Sequence, residues 1–207
     1  VGEVVRQPKY SVSSSDPLYA LMDIFMRHHP SVVPVLDDGK YKGLLTADDI
    51  NAFFLRENRK GGRLSYLLSE DNIERVIDGV YIKRGSVPSF HAPCMVGAME
   101  YGTYIERLDK LGEKPVLVIG YRKNHITAAM ERGLPGIVLT GIDDEKSIDI
   151  DFSSYSGFVY LSAVDTAETI RRLRLSTPIA DVLREESEDK HIGSDMLFDE
   201  AKRKLQE

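Results

Sequence analysis

The sequence has few of the features that mark secreted or membrane proteins. Cys94 is the only cysteine, so no intrachain disulfide framework can form, and this fits a reducing compartment. No apolar run approaches the roughly 20 residues that a membrane-spanning helix needs, and the N-terminal residues show no signal-peptide pattern. We therefore expect a cytoplasmic protein that does not enter a membrane.

An excess of positive charge is also missing. Lys and Arg together number 27 against 33 Asp and Glu, which gives a net charge of -6, and no Lys/Arg cluster is dense enough to follow a phosphate backbone. Nucleic-acid binding is therefore not expected. With 207 residues, of which 42% are hydrophobic, the chain can bury one large core or two small ones. It begins with Val1 rather than Met, so we expect it to be part of a longer protein.

The N-terminal segment predicts a helix, two strands and a second helix. In the stretch SVSSSDPLYALMDIFMRHH, Ser and Asp residues suit a helix start and Pro17 suits the first turn. Apolar residues then recur at the spacing of one buried helix face: Leu18, Leu21, Met22 and Phe25. SVVPVLDD and YKGLLT are short β-rich runs, and the turn residues DDGK between them predict a hairpin.

The second helix begins at a pair of residues that could serve a ligand. Thr46 is suited to cap the helix ADDINAFFL, and Asp49 lies three residues further, in its first turn. A helix N-terminus offers free N–H groups and a positive dipole to a phosphate, and a carboxylate one turn in can accept two hydroxyl hydrogen bonds. The same residues would also stabilise a helix start that binds nothing, so the sequence leaves both roles open.

This segment resembles a CBS motif, a module that usually occurs in pairs and binds adenine nucleotides in the clefts between them. The similar stretch is VSSSDPLYALMDIFMRHHPSVVPVLDDGKYKGLLTADDI, and its most specific part is GLLTADD. The resemblance implies that Thr46 contacts phosphate or ribose and that Asp49 takes the ribose hydroxyls. It further implies that the backbone around Val33, Pro34 and Val35 flanks the base.

The segment after RENRKGGR predicts a parallel α/β domain. PVLVIG, GIVLTG and GFVYLS are apolar runs typical of strands covered on both faces, and KNHITAAMERG and DTAETIRRLR supply helices. LSYLLSEDNIERVIDG is interpreted as helical and VYIKRG as extended. The region from about Leu64 to Arg174 resembles the DRTGG domain, in VGAM, in VLVIGYRKNHITAAMERGLPGIVLTG and in DTAETIRRL. That family typically has Gly-Asp-Arg after its central strand, whereas this sequence has Gly-Tyr-Arg.

Polar residues at the carboxyl ends of the predicted strands are further candidates, because ligands of parallel sheets favour this edge. Arg122 and Lys123 precede a helix and could bind an anion, and a structural salt bridge is the competing interpretation. An autonomous enzyme could combine Arg122 with His125 at this edge. Asp143 or Asp144 would then supply its carboxylate.

The remaining histidines and the cysteine indicate neither a metal site nor a nucleophile. His28 and His29 are adjacent and point about 100° apart on a helix, so we interpret them as a solvated helix end. His91 and Cys94, in FHAPC, lack a visible third group, and we interpret them as a loop histidine and a half-buried cysteine. No catalytic and no metal-binding residue is predicted.

The C-terminal residues resemble the start of a second CBS motif. IADVLRE echoes VGEVVRQ at the start of the chain, and LFDEAKRKL takes the place of the first helix. The predicted fold class is therefore mixed α/β, with a CBS motif of helices on a short sheet. The predicted domains are a first CBS motif, a DRTGG-like parallel α/β domain and a truncated second CBS motif, at residues 1–58, 59–175 and 176–207.

The order CBS, DRTGG, CBS is typical of the regulatory insert in CBS-containing, manganese-dependent (family II) inorganic pyrophosphatases. The resemblance implies control by adenine nucleotides such as AMP and ADP, responses to diadenosine polyphosphates in some members, and homodimers formed through CBS motifs. The catalytic domains of that family bind manganese through an Asp-His-His signature and lie outside the insert. This sequence has no such triplet, so the fragment itself would not be an enzyme, whereas the resembled parent would hydrolyse diphosphate.

We therefore predict a regulatory module that binds an adenine nucleotide, holds no cofactor of its own, and controls an attached pyrophosphatase. One alternative is a dimerisation module that binds no ligand. Another is a regulatory module of a different enzyme of phosphate metabolism.

Overall fold

The computed structural model describes residues 8–55, 65–143, 147–183 and 200. The helices are α1 (Leu18–His28), α2 (Ala47–Phe54), α3 (Glu70–Val76), α4 (Tyr101–Asp109), α5 (Lys123–Glu131) and α6 (Thr166–Leu175). The strands are β1 (Val33–Asp37), β2 (Lys40–Leu45), β3 (Ser65–Ser69), β4 (Gly79–Lys83), β5 (Ser89–Val96), β6 (Val116–Ile119), β7 (Gly136–Leu139) and β8 (Phe158–Ser162). The fold is mixed α/β, as predicted.

Elements α1, β1, β2 and α2 form the predicted helix, hairpin and helix, called here the N-terminal unit. β1 and β2 are antiparallel, and Asp38 and Gly39 between them both have positive φ, as a tight two-residue hairpin turn requires. Val33 and Val35 are fully buried, because alternate residues of a strand face the core. Val12 also forms a parallel β-bridge with Val35, which the spacing of apolar residues did not predict.

The second sheet has six strands in the order β3-β5-β6-β7-β8-β4. Its inner strands, β5 to β8, are parallel, as the apolar runs predicted. Both edge strands, β3 and β4, are antiparallel to their neighbours, so the sheet is mixed rather than wholly parallel. Antiparallel strands tolerate a solvated side, and the edge strands are less completely buried than the inner strands β6 and β7.

The stretch LSYLLSEDNIERVIDG is only partly helical. The prediction of a helix is correct for Glu70–Val76 and wrong for Ser65–Ser69, which forms β3. Tyr66 and Leu68 are buried while the residues between and beside them are half-buried. Burial over Ser65–Ser69 therefore alternates with the period of a strand, and the helix begins after these residues.

The two faces of the six-stranded sheet contribute to two hydrophobic cores. Leu117 and Ile137 point to the face that α4 and α5 cover. Val118 and Phe158 point to the opposite face, where α3, α6 and the N-terminal unit supply the other side of the core. The N-terminal unit and the six-stranded sheet therefore share one core.

The chain returns to the N-terminal unit after α6. A short 3-10 turn, Ile179–Asp181, follows the helix, and Ile179 and Val182 are buried in the shared core. Leu183 approaches the backbone of Gly43 in β2 so closely that a Cβ atom there would lie 3.1 Å from its side chain. The residues predicted to begin a second CBS motif thus contribute to the core that the N-terminal unit shares with the sheet.

Several predictions about the chain's organisation fall at or beyond the edges of the described residues. The helix predicted at LFDEAKRKL lies outside them apart from Glu200, which is helical. The domain boundaries at 1–58, 59–175 and 176–207 stay predictions, and the first of them falls among residues that the structure does not describe. In the described part of the chain, no helix is both long and apolar enough to cross a membrane.

Truncation of Ile179 tests whether the C-terminal segment supports the shared core. Ile179 is fully buried, so Ile179→Ala should lower the free energy of unfolding by about 2–4 kcal/mol, through lost transfer free energy and the cavity left behind. Urea unfolding followed by circular dichroism measures the change. Ala180→Ser, at the exposed neighbouring position, should stay within about 0.5 kcal/mol of the wild type. An equally small loss in Ile179→Ala would contradict the packing.

Candidate functional site

Thr46 and Asp49 form a closed pair at the N-terminus of α2. Thr46 Oγ1 donates to Asp49 Oδ2 at 2.6 Å and accepts from the Asp49 backbone N–H at 3.3 Å. The Thr46 backbone N–H donates to the same carboxylate oxygen at 2.8 Å. Together these bonds make a reciprocal capping box, which satisfies donors that otherwise lack partners at a helix start. The capping role that the sequence left open is therefore present, and the nucleotide role stays a prediction.

The three β1 residues predicted to flank a base divide between two faces of the hairpin. Val33 and Val35 are fully buried, so their side chains belong to the core. Pro34 is half-buried and points the other way, and its cross-strand partner Leu44 is 48% exposed. The Pro34 carbonyl accepts the Val12 N–H at 3.1 Å. A base on the outer face would therefore meet Pro34 and Leu44. Leu44 was not predicted to contact a base, although the alternation of side chains along β2 could have placed it on the outer face.

A polar cluster beside this hairpin was also not predicted. Asp37, the last residue of β1, accepts from the Ser14 hydroxyl at 2.7 Å, from the Ser14 N–H at 2.9 Å and from the Ser13 hydroxyl at 2.8 Å. These bonds, first among them that of the Ser14 side chain, hold the pKa of Asp37 below its ordinary value. No local spacing indicates the cluster, because its members lie 23 and 24 residues apart.

Arg122 and Lys123 are both engaged within the protein. Arg122 Nη1 donates to the carbonyl oxygens of Ala98 and Met99 at 3.2 and 3.1 Å. Lys123 Nζ pairs with Asp149 at 2.7 Å. An anion would have to compete with Asp149 for Lys123 on an exposed surface, where such pairs contribute little stability. The anion-binding role stays a prediction, and the structure shows the competing salt bridge.

His125 belongs to the packing beneath the loop after β5. It is 7% exposed, its Nε2 lies 3.1 Å from the Met99 carbonyl oxygen, and its ring lies 4.7 Å from that of Tyr104. Asp143 follows β7 and, among the described residues, shares no hydrogen bond or ion pair with His125. Asp144 lies outside the described residues. Among the described residues, Asp143 and His125 are thus not joined, and the arrangement that uses Asp144 stays a prediction.

His91 and Cys94 lie on opposite faces of β5, because an odd number of positions separates them along the strand. They therefore cannot form a pair of nucleophile and base. The interpretation of His91 as a loop residue is wrong, since the strand runs through it, whereas Cys94 is half-buried as predicted. Burial raises the pKa of the Cys94 thiol to about 11.

His28 and His29 are exposed at the C-terminal end of α1, as predicted. The His28 ring stacks on Tyr10 at 4.3 Å between ring centroids. Within the described ranges, no group of three or more His, Cys, Asp or Glu side chains is placed to bind a metal ion.

Burial should make the Cys94 thiol unreactive. With a pKa of about 11, only about one thiol in a thousand is ionised at pH 8, and the thiolate is the reactive form. The native protein should react with iodoacetamide at least tenfold more slowly than the urea-unfolded protein, as measured by mass spectrometry at pH 8. His91→Ala should leave the native rate unchanged. A slower rate in that variant would show that His91 activates the thiol after all.

Comparisons with known proteins identify the N-terminal unit and the fold of the whole chain. Residues 1–56 match the family model described as the CBS domain. None of the curated proteins matches the sequence. The fold is similar to that of the CBS and DRTGG domains of the regulatory region of Clostridium perfringens pyrophosphatase, solved by crystallography in complex with its activator, diadenosine tetraphosphate.

The structural match is extensive although the sequences have diverged. The TM-score is 0.78 at 16% sequence identity, and the match covers 99% of this chain and 89% of that chain. A similarity at this identity establishes a common fold. The predicted resemblance to CBS and DRTGG domains is confirmed by these two matches. Residues 1–56 thus match the CBS domain family, and the overall fold of the chain is similar to that of the CBS and DRTGG domains in the Clostridium structure.

Proposed function

We propose that this chain is a regulatory module that binds an adenine nucleotide, of the AMP or ADP type, at the N-terminus of α2. The observation that carries the proposal is the Thr46–Asp49 pair at a helix start within the residues that match the CBS family. The Clostridium structure of similar fold contains diadenosine tetraphosphate as an activator, which supports an adenine nucleotide as the class of ligand.

The capping box can exchange an internal bond for a bond to the ligand. Rotation of the Thr46 hydroxyl lets it donate to a phosphate oxygen instead of to Asp49. Asp49 keeps the Thr46 backbone N–H as a donor, at 2.8 Å, and accepts a ribose hydroxyl in place of the threonine hydroxyl. Hydrogen bonds to ionised groups are stronger than neutral ones, so the helix start stays capped while the ligand is bound.

The base lies against the outer face of the hairpin in this proposal. Pro34 and Leu44 are cross-strand partners there, and they offer an apolar surface to one face of the adenine ring. Val33 and Val35 pack into the core from the other face, so the backbone that flanks the base is in direct contact with the core. Binding sites commonly combine such an apolar surface with a few fixed polar groups.

Local charge limits the number of phosphates that this half of the site accepts. Asp48 and Asp49 both lie in the first turn of α2. Their repulsion of a phosphate opposes the attraction of the helix dipole. These residues alone therefore favour AMP over more highly charged nucleotides. A longer polyphosphate needs cationic side chains from a second motif or from the partner subunit of a dimer.

The regulated activity lies outside the chain in this proposal. The proposal keeps the predicted domain boundaries, and the attached enzyme in it is an inorganic pyrophosphatase whose manganese ions and hydrolytic chemistry belong to its own catalytic domains. Control follows from a population shift, because a nucleotide that binds one arrangement of paired CBS motifs more tightly than another changes their equilibrium.

A homodimer through the N-terminal helices is the second part of the proposal. Met26 on α1 and Leu55 at the end of α2 are 71% and 77% exposed, and Phe54 is 39% exposed. α1 and α2 pack against each other, and the proposal takes these three exposed side chains as parts of one contact surface. Exposed apolar patches of this kind mark protein–protein contacts. The same observation favours the alternative function, a dimerisation module that binds no ligand.

Calorimetric titration with AMP tests the nucleotide site. Asp49→Asn keeps the shape of the capping side chain but weakens its acceptance of ribose hydroxyls, so the dissociation constant should rise at least tenfold, or about 1.4 kcal/mol. Asp48→Asn removes the same charge one position earlier, at an exposed site, and should leave the affinity within about twofold or improve it slightly. Equal affinities of wild type and a folded Asp49→Asn variant would refute the assignment of the site. Absence of any heat in the wild type would favour the ligand-free module.

Sedimentation velocity tests the dimer. The wild type should sediment as a dimer at tens of micromolar, and the double variant Met26→Glu/Leu55→Glu should sediment as a monomer, because two charges are then placed in the apolar contact. Val80→Glu, on the exposed edge strand β4, is the matched control and should remain dimeric. A monomeric wild type, or a double variant that stays dimeric, would show that this surface does not form the contact.

A further inference from the structure

We infer that the turn Ser13–Asp16, called here the serine turn, is a coupling joint that carries changes in strand β1 to the α/β domain and to the C-terminal segment. The inference deepens the proposed function and rests on it for the ligand that displaces β1. It identifies the route by which a nucleotide at the N-terminal unit acts on the rest of the chain.

The first connection of the serine turn is to β1. Asp37 accepts the three hydrogen bonds from Ser13 and Ser14 described above. Val12, directly before the turn, accepts the Leu36 N–H at 2.8 Å and so pairs with the same strand. The proposed base-contacting residues precede Asp37 in β1. A ligand that moves the backbone of this strand therefore also pulls on the serine turn.

The second connection is to α3 in the α/β domain. Asn72 Nδ2 donates to the Ser15 carbonyl oxygen at 3.0 Å, and Arg75 Nη2 donates to Asp16 Oδ1 at 2.9 Å. Arg75 Nη1 also donates to Asn72 Oδ1 at 3.2 Å, so the two α3 side chains brace each other. Asn72 is 3% exposed, and a hydrogen bond shielded from water is electrostatically stronger than one in solvent.

The third connection is to the segment after α6. The Ile179 N–H donates to the Asp16 carbonyl oxygen at 2.9 Å, and the Ala180 N–H donates to the Ser14 carbonyl oxygen at 2.9 Å. This segment lies at the start of the predicted second CBS motif, residues 176–207. The serine turn therefore contacts both α3 and the segment after α6. These two parts must respond if a ligand at the N-terminal unit is to regulate the rest of the chain.

These connections constrain how β1 can move. The carbonyl oxygens of Ser14, Ser15 and Asp16 each accept a bond from outside the turn. A displacement of β1 must therefore break one of these bonds or move α3 and the C-terminal segment with it. Packed elements switch between discrete arrangements rather than deform continuously. Movement of α3 and the C-terminal segment together with β1 is therefore the response that transmits the change.

Hydrogen–deuterium exchange on the ligand-free protein tests the joint. Asp37→Asn keeps the size of the side chain and removes the charge that holds the serine turn, so amide exchange in α3 should rise at least threefold. Asp38→Asn is the matched control, because it lies next in sequence at an exposed position whose positive φ Asn tolerates. It should leave α3 exchange unchanged. Unchanged α3 exchange in a folded Asp37→Asn variant would overturn the inference.

Arg75→Ala tests the same joint from the other side, and it decides the question if Asp37→Asn does not fold. Coupling between sites is reciprocal, so loss of the α3 connection should raise amide exchange in β1 at least threefold. Arg27→Ala removes an exposed ion pair of α1 with Asp23 and should leave β1 exchange unchanged. The inference fails if β1 does not respond to Arg75→Ala.

Addition of AMP separates this inference from the proposed function. At a saturating concentration set by calorimetry, AMP should slow amide exchange in α3 of the wild type at least twofold. Arg75→Ala should bind AMP within threefold of the wild-type affinity and lose the protection of α3. Binding of AMP without any response in wild-type α3 would overturn the inference and leave the proposed function standing. Absence of binding would reject the proposed function, and the ligand-free variants would still decide whether the serine turn couples the two parts.

Discussion

Burial of one face of the six-stranded sheet beneath the N-terminal unit is the constraint on which the rest of the structure depends. Val118 and Phe158 on the sheet share a core with Val33 and Leu18, so the two parts cannot separate without exposing apolar surface to water. Hydrophobic burial is strong and non-directional, so it brings these elements together without fixing their angle or register. The C-terminal segment fits this constraint as well, because Ile179 fills the same core before the chain continues.

Polar contacts around that core fix the angle and register of the elements, which burial alone does not determine. Arg172 on α6 donates to the Val76 carbonyl oxygen at 3.2 Å and to Asp78 at 2.8 Å, which sets α6 against the end of α3. Glu70, buried at the start of α3, accepts the Gly85 N–H at 2.9 Å, and its burial raises its pKa. α3 is thus held at both ends within the α/β domain. Its middle is therefore a defined surface on which Asn72 can hold the serine turn.

The sequence predicts most of the elements and few of the contacts between them. Apolar runs identified β6, β7 and β8, and capping chemistry identified the start of α2, because both signals lie within a few neighbouring residues. Ser65–Ser69 was misassigned because the strand runs directly into a helix, and its five residues are too few for the apolar positions to distinguish the period of a strand from that of a helix. The role of Asp37 and its pairing with Ser14 could not be predicted, because the fold alone brings these residues together across 23 positions.

The capping box would let one helix start serve both stability and the proposed nucleotide binding. A cap that depended on Asp49 alone would be lost whenever its carboxylate turned to a ligand, and α2 would fray. Here the Thr46 backbone N–H and hydroxyl both reach Asp49 Oδ2, so the hydroxyl can leave while the backbone bond remains. In the proposed function, the free energy of nucleotide binding is then not spent on reforming the helix, and it is available to displace β1 and the turn attached to it. A stable helix start is in this sense a precondition for the proposed regulation through the N-terminal unit.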